Sequence, residues 1–197
     1  MKKTISIIIS IAMCAMLASC GGVKNEVSDT EQPTLMDTMS LEEKVGQILF
    51  VRCVDDEQTD DLMSIKPGGI LMFGRDFEGL TKDEVKEKIQ SYQDKSDIPL
   101  IIGADEEGGT VVRVSSNPNL APEKFKSPQE IYNEGGMDAV VENATEKSEL
   151  LLSLGVNMNL APVADVSTNP SDYMYDRSLG QNAEVTADSF QRRNGNE

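Results

Sequence analysis

Apolar residues fall along this chain in short blocks set between amphipathic stretches. Four blocks, at residues 47–54, 69–73, 98–102 and 156–163, are rich in Ile, Leu, Val, Met and Phe and are bounded by Gly, Pro or polar clusters. Blocks of that length and flanking predict short buried strands. Helix signatures lie between them. Ser40-Leu41-Glu42-Glu43, Thr81-Lys82-Asp83-Glu84 and Ser127-Pro128-Gln129-Glu130 are capping boxes, in which a hydroxyl and a glutamate each satisfy the other's free backbone amide. Pro128 takes the first helical position, where its missing N–H costs little. Helices are therefore expected from Ser40 to about Gly46, within 55–66, from Thr81 with Val85, Ile89 and Tyr92 on one apolar face, from Ser127, over 137–154, and over 183–192. In the 137–154 helix, Val140, Val141, Ala144, Leu151 and Leu152 mark the buried side and Gly155 is the expected left-handed cap. Strand and helix alternate throughout. That order predicts parallel strands joined by crossover helices in one α/β domain.

The first 33 residues follow a different pattern. Lys2 and Lys3 precede an uncharged apolar run from Ile5 to Leu17. A membrane span needs about 20 apolar residues, so this shorter run reads as a signal peptide. Leu17-Ala18-Ser19-Cys20, followed by Gly21, resembles a bacterial lipobox, in which Cys20 becomes the lipid-bearing first residue. An ordinary secretory peptide with an incidental cysteine is the alternative. Lipid on Cys20 would make the protein peripheral to a membrane rather than spanning it. Residues 21–33 are polar without a period and read as a flexible tether. Of three cysteines, Cys14 leaves with the signal, Cys20 takes lipid, and Cys53 is expected to be a small buried hydrophobe, so no disulfide framework is expected.

Charge narrows the partners. Eighteen basic and 34 acidic residues give a net charge of −16. Nucleic acid and anionic membrane surfaces carry the same sign and are not expected partners.

The candidate chemistry gathers after the third apolar block. Asp105-Glu106-Glu107-Gly108-Gly109, followed by Arg113, puts three acids where a strand should end, and in parallel α/β folds ligands bind at that end. A solvated acidic turn with glycines is the structural alternative. These residues resemble the D-x-E-G-G-R-V-x-R segment of glycoside hydrolase family 3, nearest to its β-N-acetylhexosaminidase branch. Gly69 to Arg75 is similar to the family's G-G-I-(I/L)-L-F-x-R turn. The stretch from Leu154 to Val166 is similar to L-G-I-N-x-N-x-A-P-V-x-D-V, and Asp176-Arg177-Ser178-Leu179-Gly180 to D-R-S-F-G. The resemblance implies a (β/α)8 TIM-type barrel. Such a barrel takes about 250 residues, and about four strand–helix units are counted here. The expectation is the first half of a barrel over 34–197, with the polar residues 191–197 a helix cut short. A small doubly wound domain, complete as it stands, is the alternative.

The resemblance also assigns roles. Asp105, Arg113 and Arg177 match substrate-binding positions, implying a carbohydrate substrate with no cofactor and no metal. All three side chains are expected to converge at the carboxyl end of the strands, with both guanidiniums turned on Asp105. The structural alternatives are ion pairs of Arg177 with Asp172 or Asp176, and of Arg113 with Glu106 or Glu107. Thr110 stands where the family has arginine. Glu107 is expected to brace its loop. Asp165 and Asp176 are weaker candidates, and a metal held by Asp105, Glu106 and Glu107 is the least favoured reading. The family's aspartate nucleophile and its histidine acid/base, which follows a K-H-F-P-G segment, have no counterpart here, and the chain contains no histidine. Both are expected beyond Glu197. The implied function is hydrolysis of terminal β-linked N-acetylglucosamine or a related β-glycoside with a retaining mechanism. A non-catalytic or vestigial glycan-binding lipoprotein is the alternative.

Overall fold

A computed structural model of the chain describes residues 34–52 and 56–193. The signal peptide, tether, Cys20, Cys53 and residues 194–197 lie outside the described residues. The chain divides into two compact units, Met1–Thr38 and Met39–Glu197. Of the first, the described part is one turn of helix, α1 (Leu35–Thr38), where the amide and hydroxyl of Thr34 both donate to Asp37 at 2.8 Å.

The second unit opens with α2 (Leu41–Ile48) and β1 (Phe50–Val51), followed by α3 (Asp56–Ser64), β2 (Gly69–Met72) and α4 (Gly74–Phe77). It continues with α5 (Lys82–Gln93), β3 (Ile101–Ala104), α6 (Pro128–Leu154), β4 (Met158–Asn159) and α7 (Ala183–Arg193). All three expected capping boxes form, at α2, α5 and α6. A fourth cap is made by Asp76, which accepts from the Phe73 amide at 2.7 Å at the head of α4. Gly155 closes α6 in the left-handed region, with φ 93°.

The four strands form one parallel sheet in the order β1-β2-β3-β4. Parallel neighbours in register point their side chains to the same face. Ile70, Met72, Ile102 and Ala104 share one face and are all buried, packed with Val85, Ile89, Tyr92, Leu151 and Leu154 of α5 and α6. The other face carries Phe50, Ile101 and Met158, which are 38, 43 and 37% exposed. The Phe50 ring lies across Gly69 and Gly103, where a Cβ would come within 2.6 and 2.5 Å of it. A doubly wound domain covers both faces of its sheet and reverses its strand order. A sequential order with helices on one face is the winding of a barrel.

Three expectations are corrected. The strands are shorter: the first block becomes two residues because α2 runs through Ile48, the third starts at Ile101 rather than Ile98, and the fourth keeps only Met158 and Asn159. The two helices expected between Ser127 and Leu154 run together as α6, joined across a kink at Gly135 and Gly136. Leu152 is 64% exposed, whereas Lys147, a charged residue earlier on the same helix, is buried.

Candidate active site

The site is built on the carboxyl ends of β3 and β4. Beyond Ala104, where β3 ends, the chain carries Asp105, Glu106 and Glu107 and then turns through Gly108 and Gly109, with φ 101° and 63°. A side chain at Gly108 would fall 2.2 Å from the Lys126 carbonyl oxygen, so the turn needs glycine on two counts. The return is pinned by Gly108 and Val111, whose amides each donate to the other's carbonyl at 3.1 and 3.3 Å.

The three acids separate by their partners, Glu106 meeting backbone and Asp105 and Glu107 each meeting an arginine. Glu106 is fully buried. Its carboxyl oxygens accept from the amides of Arg113 and Val114 at 2.7 Å, from the Ser115 amide at 3.3 Å, and from the Ser115 hydroxyl in a short bond. The Asn159 side chain grips the Glu106 backbone from β4, accepting from its N–H at 3.0 Å and donating to its carbonyl at 3.2 Å. Glu106 thus folds the returning loop onto the strand end and sets where Arg113 leaves the backbone.

Asp105 and Glu107 each meet a guanidinium. Arg113 Nη2 lies 3.3 Å from Asp105 Oδ2, with both side chains about a quarter exposed. Arg177 forks onto Glu107, Nε donating to Oε2 at 2.9 Å and Nη2 to Oε1 at 2.6 Å. Glu107 is 5% exposed, and Lys147 Nζ donates to its carbonyl oxygen at 2.7 Å. The bonds that Arg177 donates to Glu107 hold its guanidinium more firmly protonated than a free arginine, against the opposing effect of burial, and the charges of Glu107, Tyr173 and Asp105 add to this. Phe73, at the end of β2, lies beneath two guanidiniums, with Arg52 4.2 Å and Arg113 5.7 Å from the ring centroid. Arg113 Nε is buried there without a hydrogen-bond partner among the described residues.

The structure brings Asp105, Arg113 and Arg177 to neighbouring strand ends, but it pairs them differently from the expectation. Arg113 turns on Asp105, not on Glu106 or Glu107. Arg177 turns on Glu107, not on Asp105, Asp172 or Asp176. Asp165 and Asp176 are exposed, and Asp172 accepts from the Ser167 hydroxyl at 3.0 Å. Each acid of the 105–107 run is engaged by a different protein group, which disperses them rather than gathering them on one ion. Among the described residues no cluster of three or more His, Cys, Asp or Glu side chains could hold a metal. Sequence reasoning missed Glu106, Lys147 and Asn159. The alternating asparagines in Asn157-Met158-Asn159 are the one signal that pointed to side-chain pairing along β4.

The profile of the Glycosyl hydrolase family 3 N terminal domain matches residues 40–191. Beta-hexosaminidase A of Pseudoalteromonas piscicida is 30% identical over 122 residues, covering 60% of this chain and 20% of its own length. Beta-hexosaminidase LpqI of Mycobacterium tuberculosis (strain ATCC 25618 / H37Rv) is 28% identical over 151 residues, covering 76% and 38%. The structure of a glycoside hydrolase family 3 beta-N-acetylglucosaminidase from Paenibacillus sp. str. FPU-7 superposes with a TM-score of 0.67 at 26% identity, covering 79% of this chain and 31% of that one. The chain thus spans a fifth to about two fifths of the length of these relatives.

Proposed function

The chain belongs to glycosyl hydrolase family 3, and from that membership we infer that it supplies the sugar-binding part of a β-N-acetylhexosaminidase-type enzyme. Its sheet is part of a TIM-type (β/α) barrel. The reaction proposed for the whole enzyme is retaining hydrolysis of terminal β-linked N-acetylglucosamine or a related β-glycoside. One carboxylate would attack the anomeric carbon while a second group protonates the leaving oxygen. Neither group has a matching position in this chain. The residues present serve binding: Asp105 would accept from sugar hydroxyls through charge-assisted bonds, and Arg113 and Arg177 would donate to the ring substituents.

The observation that carries this reading is the pair of carboxylate–guanidinium contacts, Asp105 with Arg113 and Glu107 with Arg177, at adjacent strand ends on the family's motifs. Two acids there, Asp105 and Glu107, pair with two arginines, Arg113 and Arg177. Such a balance suits a neutral sugar better than an anionic one. The test is a titration of the chain with N-acetylglucosamine, followed by amide NMR. The expected result is saturable shifts confined to residues 104–115 and 172–180, lost in Asp105→Asn. Shifts that are absent, or that persist unchanged in Asp105→Asn, would overturn the binding role.

The location proposed is extracytoplasmic, with a lipid on Cys20 holding the protein to a bacterial envelope membrane. The lipobox-like Leu17-Ala18-Ser19-Cys20 supports the lipid anchor, and the name of a secreted glycosyl hydrolase from Arthroderma benhamiae that is 27% identical over 136 residues supports the extracytoplasmic location alone. In a bacterial host, mass spectrometry of the mature amino terminus should show a diacylglyceryl cysteine, and Cys20→Ala should abolish it. An unmodified wild-type terminus refutes the anchor.

A further inference from the structure

We propose that Glu107 is the positioning residue that aims Arg177 at the sugar and keeps it off Asp105, a role that rests on the sugar-site reading above. A guanidinium offers five N–H donors in one plane. Glu107 takes the edge formed by Nε and Nη2, at 2.9 and 2.6 Å. Nη1 lies 3.6 Å from the Met174 sulfur, a weak acceptor. The outward donors of Arg177 are therefore those on Nη1 and the remaining one on Nη2, and their direction is set by the fork.

Asp105 is the competing partner. Its charge already reaches Arg177 and helps keep it protonated. Asp105 meets Arg113 through Oδ2 at 3.3 Å, and Oδ1 takes no hydrogen bond among the described residues. That oxygen is the acceptor a sugar hydroxyl needs. A second guanidinium swung onto Asp105 would occupy it. Glu107 prevents this by holding Arg177 through two bonds, at 2.9 and 2.6 Å, at a position two residues along the loop from Asp105.

The acid is itself fixed. It is almost fully buried, Lys147 Nζ from α6 holds its carbonyl oxygen at 2.7 Å, and its amide donates to Val111 at 3.0 Å. Its fork joins the loops after β3 and β4, beside the grip of Asn159 on the Glu106 backbone. The pairing explains why an arginine needed for binding is spent on a protein carboxylate.

The experiment is a double-mutant cycle on N-acetylglucosamine affinity with Glu107→Gln, Arg177→Lys and Arg113→Lys. Glutamine keeps the shape but sets an N–H against the guanidinium. Glu107→Gln and Arg177→Lys should each weaken binding about tenfold, and the double variant should bind no worse than either single one. Glu107→Gln with Arg113→Lys should multiply instead. In parallel, the slowly exchanging Nε–H resonance of Arg177 should persist in Arg113→Lys and disappear in Glu107→Gln. If Glu107→Gln does not fold, Glu107→Asp, one methylene too short to fork, enters the same cycle. Multiplying effects between positions 107 and 177, or an unchanged Nε–H signal, overturn the positioning role. A wild-type chain that binds no N-acetylglucosamine overturns the sugar-site reading itself, which is a separate outcome.

Discussion

Glu106→Ala is expected to destabilise the fold by more than about 3 kcal/mol, the largest single-site loss at the candidate site. The residue is completely buried and accepts three backbone amides and one hydroxyl. Removing it leaves the amides of Arg113, Val114 and Ser115 without an acceptor in the interior. Each orphaned donor costs about 1–3 kcal/mol, and the costs do not add in full because water enters the space left behind. Glu107→Ala is the useful contrast. Its partner Arg177 is 28% exposed and can turn to solvent, so a smaller loss is expected there although a charge pair is broken. Urea unfolding of both variants ranks them, and hydrogen exchange should show protection lost first at 113–115 in Glu106→Ala. A Glu106→Ala chain within about 0.5 kcal/mol of wild type, the range of ordinary surface substitutions, would show that the carboxyl group does not hold the loop.

The contrast between these neighbours also marks how far the sequence could be read. Capping boxes at Ser40, Thr81 and Ser127 were legible because a cap is settled within four residues. The cap at Phe73 was not, because its first position is an aromatic and only the Asp76 half of the box is present. Val85, Ile89 and Tyr92 were legible as a buried face because their spacing alone carries it. Leu152 was misread because it lines an open cavity with Val141, Ala144 and Pro162 instead of packing into the core. The parallel order followed from alternation, and the barrel from motif resemblance.

At the site, resemblance named Asp105, Arg113 and Arg177, and the structure puts them at adjacent strand ends. What the sequence could not tell was which acid meets which arginine. Three consecutive acids are equivalent on paper. The fold separates them by partner: Asp105 and Glu107 each meet an arginine, and the turn at Gly108 brings the returning backbone of 113–115 onto Glu106. Lys147 lies 40 residues from its acceptor, and no local pattern announces that contact.

Gly46→Ala is expected to destabilise the protein by about 3 kcal/mol, although the substitution improves a helix. In an exposed helix interior, alanine is favoured over glycine by about 1 kcal/mol. Gly46 is in α2 and buried, and a Cβ there would lie 2.1 Å from the Ile65 carbonyl oxygen and 2.6 Å from that of Lys66. Both neighbours are backbone, so no rotamer change relieves the clash, and the helix must move off the turn that leads into β2. That movement strains three further contacts. The Gly46 carbonyl accepts from Gly68 at 3.2 Å, Gln47 Nε2 donates to the Lys66 carbonyl at 2.9 Å, and Lys66 pairs with Glu43 at 2.6 Å. The Lys66 pair is exposed and contributes little, so the cost comes from the backbone seam. Gly74→Ala is the control, since Gly74 is also helical and a Cβ there meets nothing within 4 Å. It should be neutral or slightly stabilising. Chemical denaturation of the two variants separates the effects. A Gly46→Ala chain as stable as Gly74→Ala would mean that α2 does not seat on the 65–68 turn, and that the first strand is not held in the sheet by this helix.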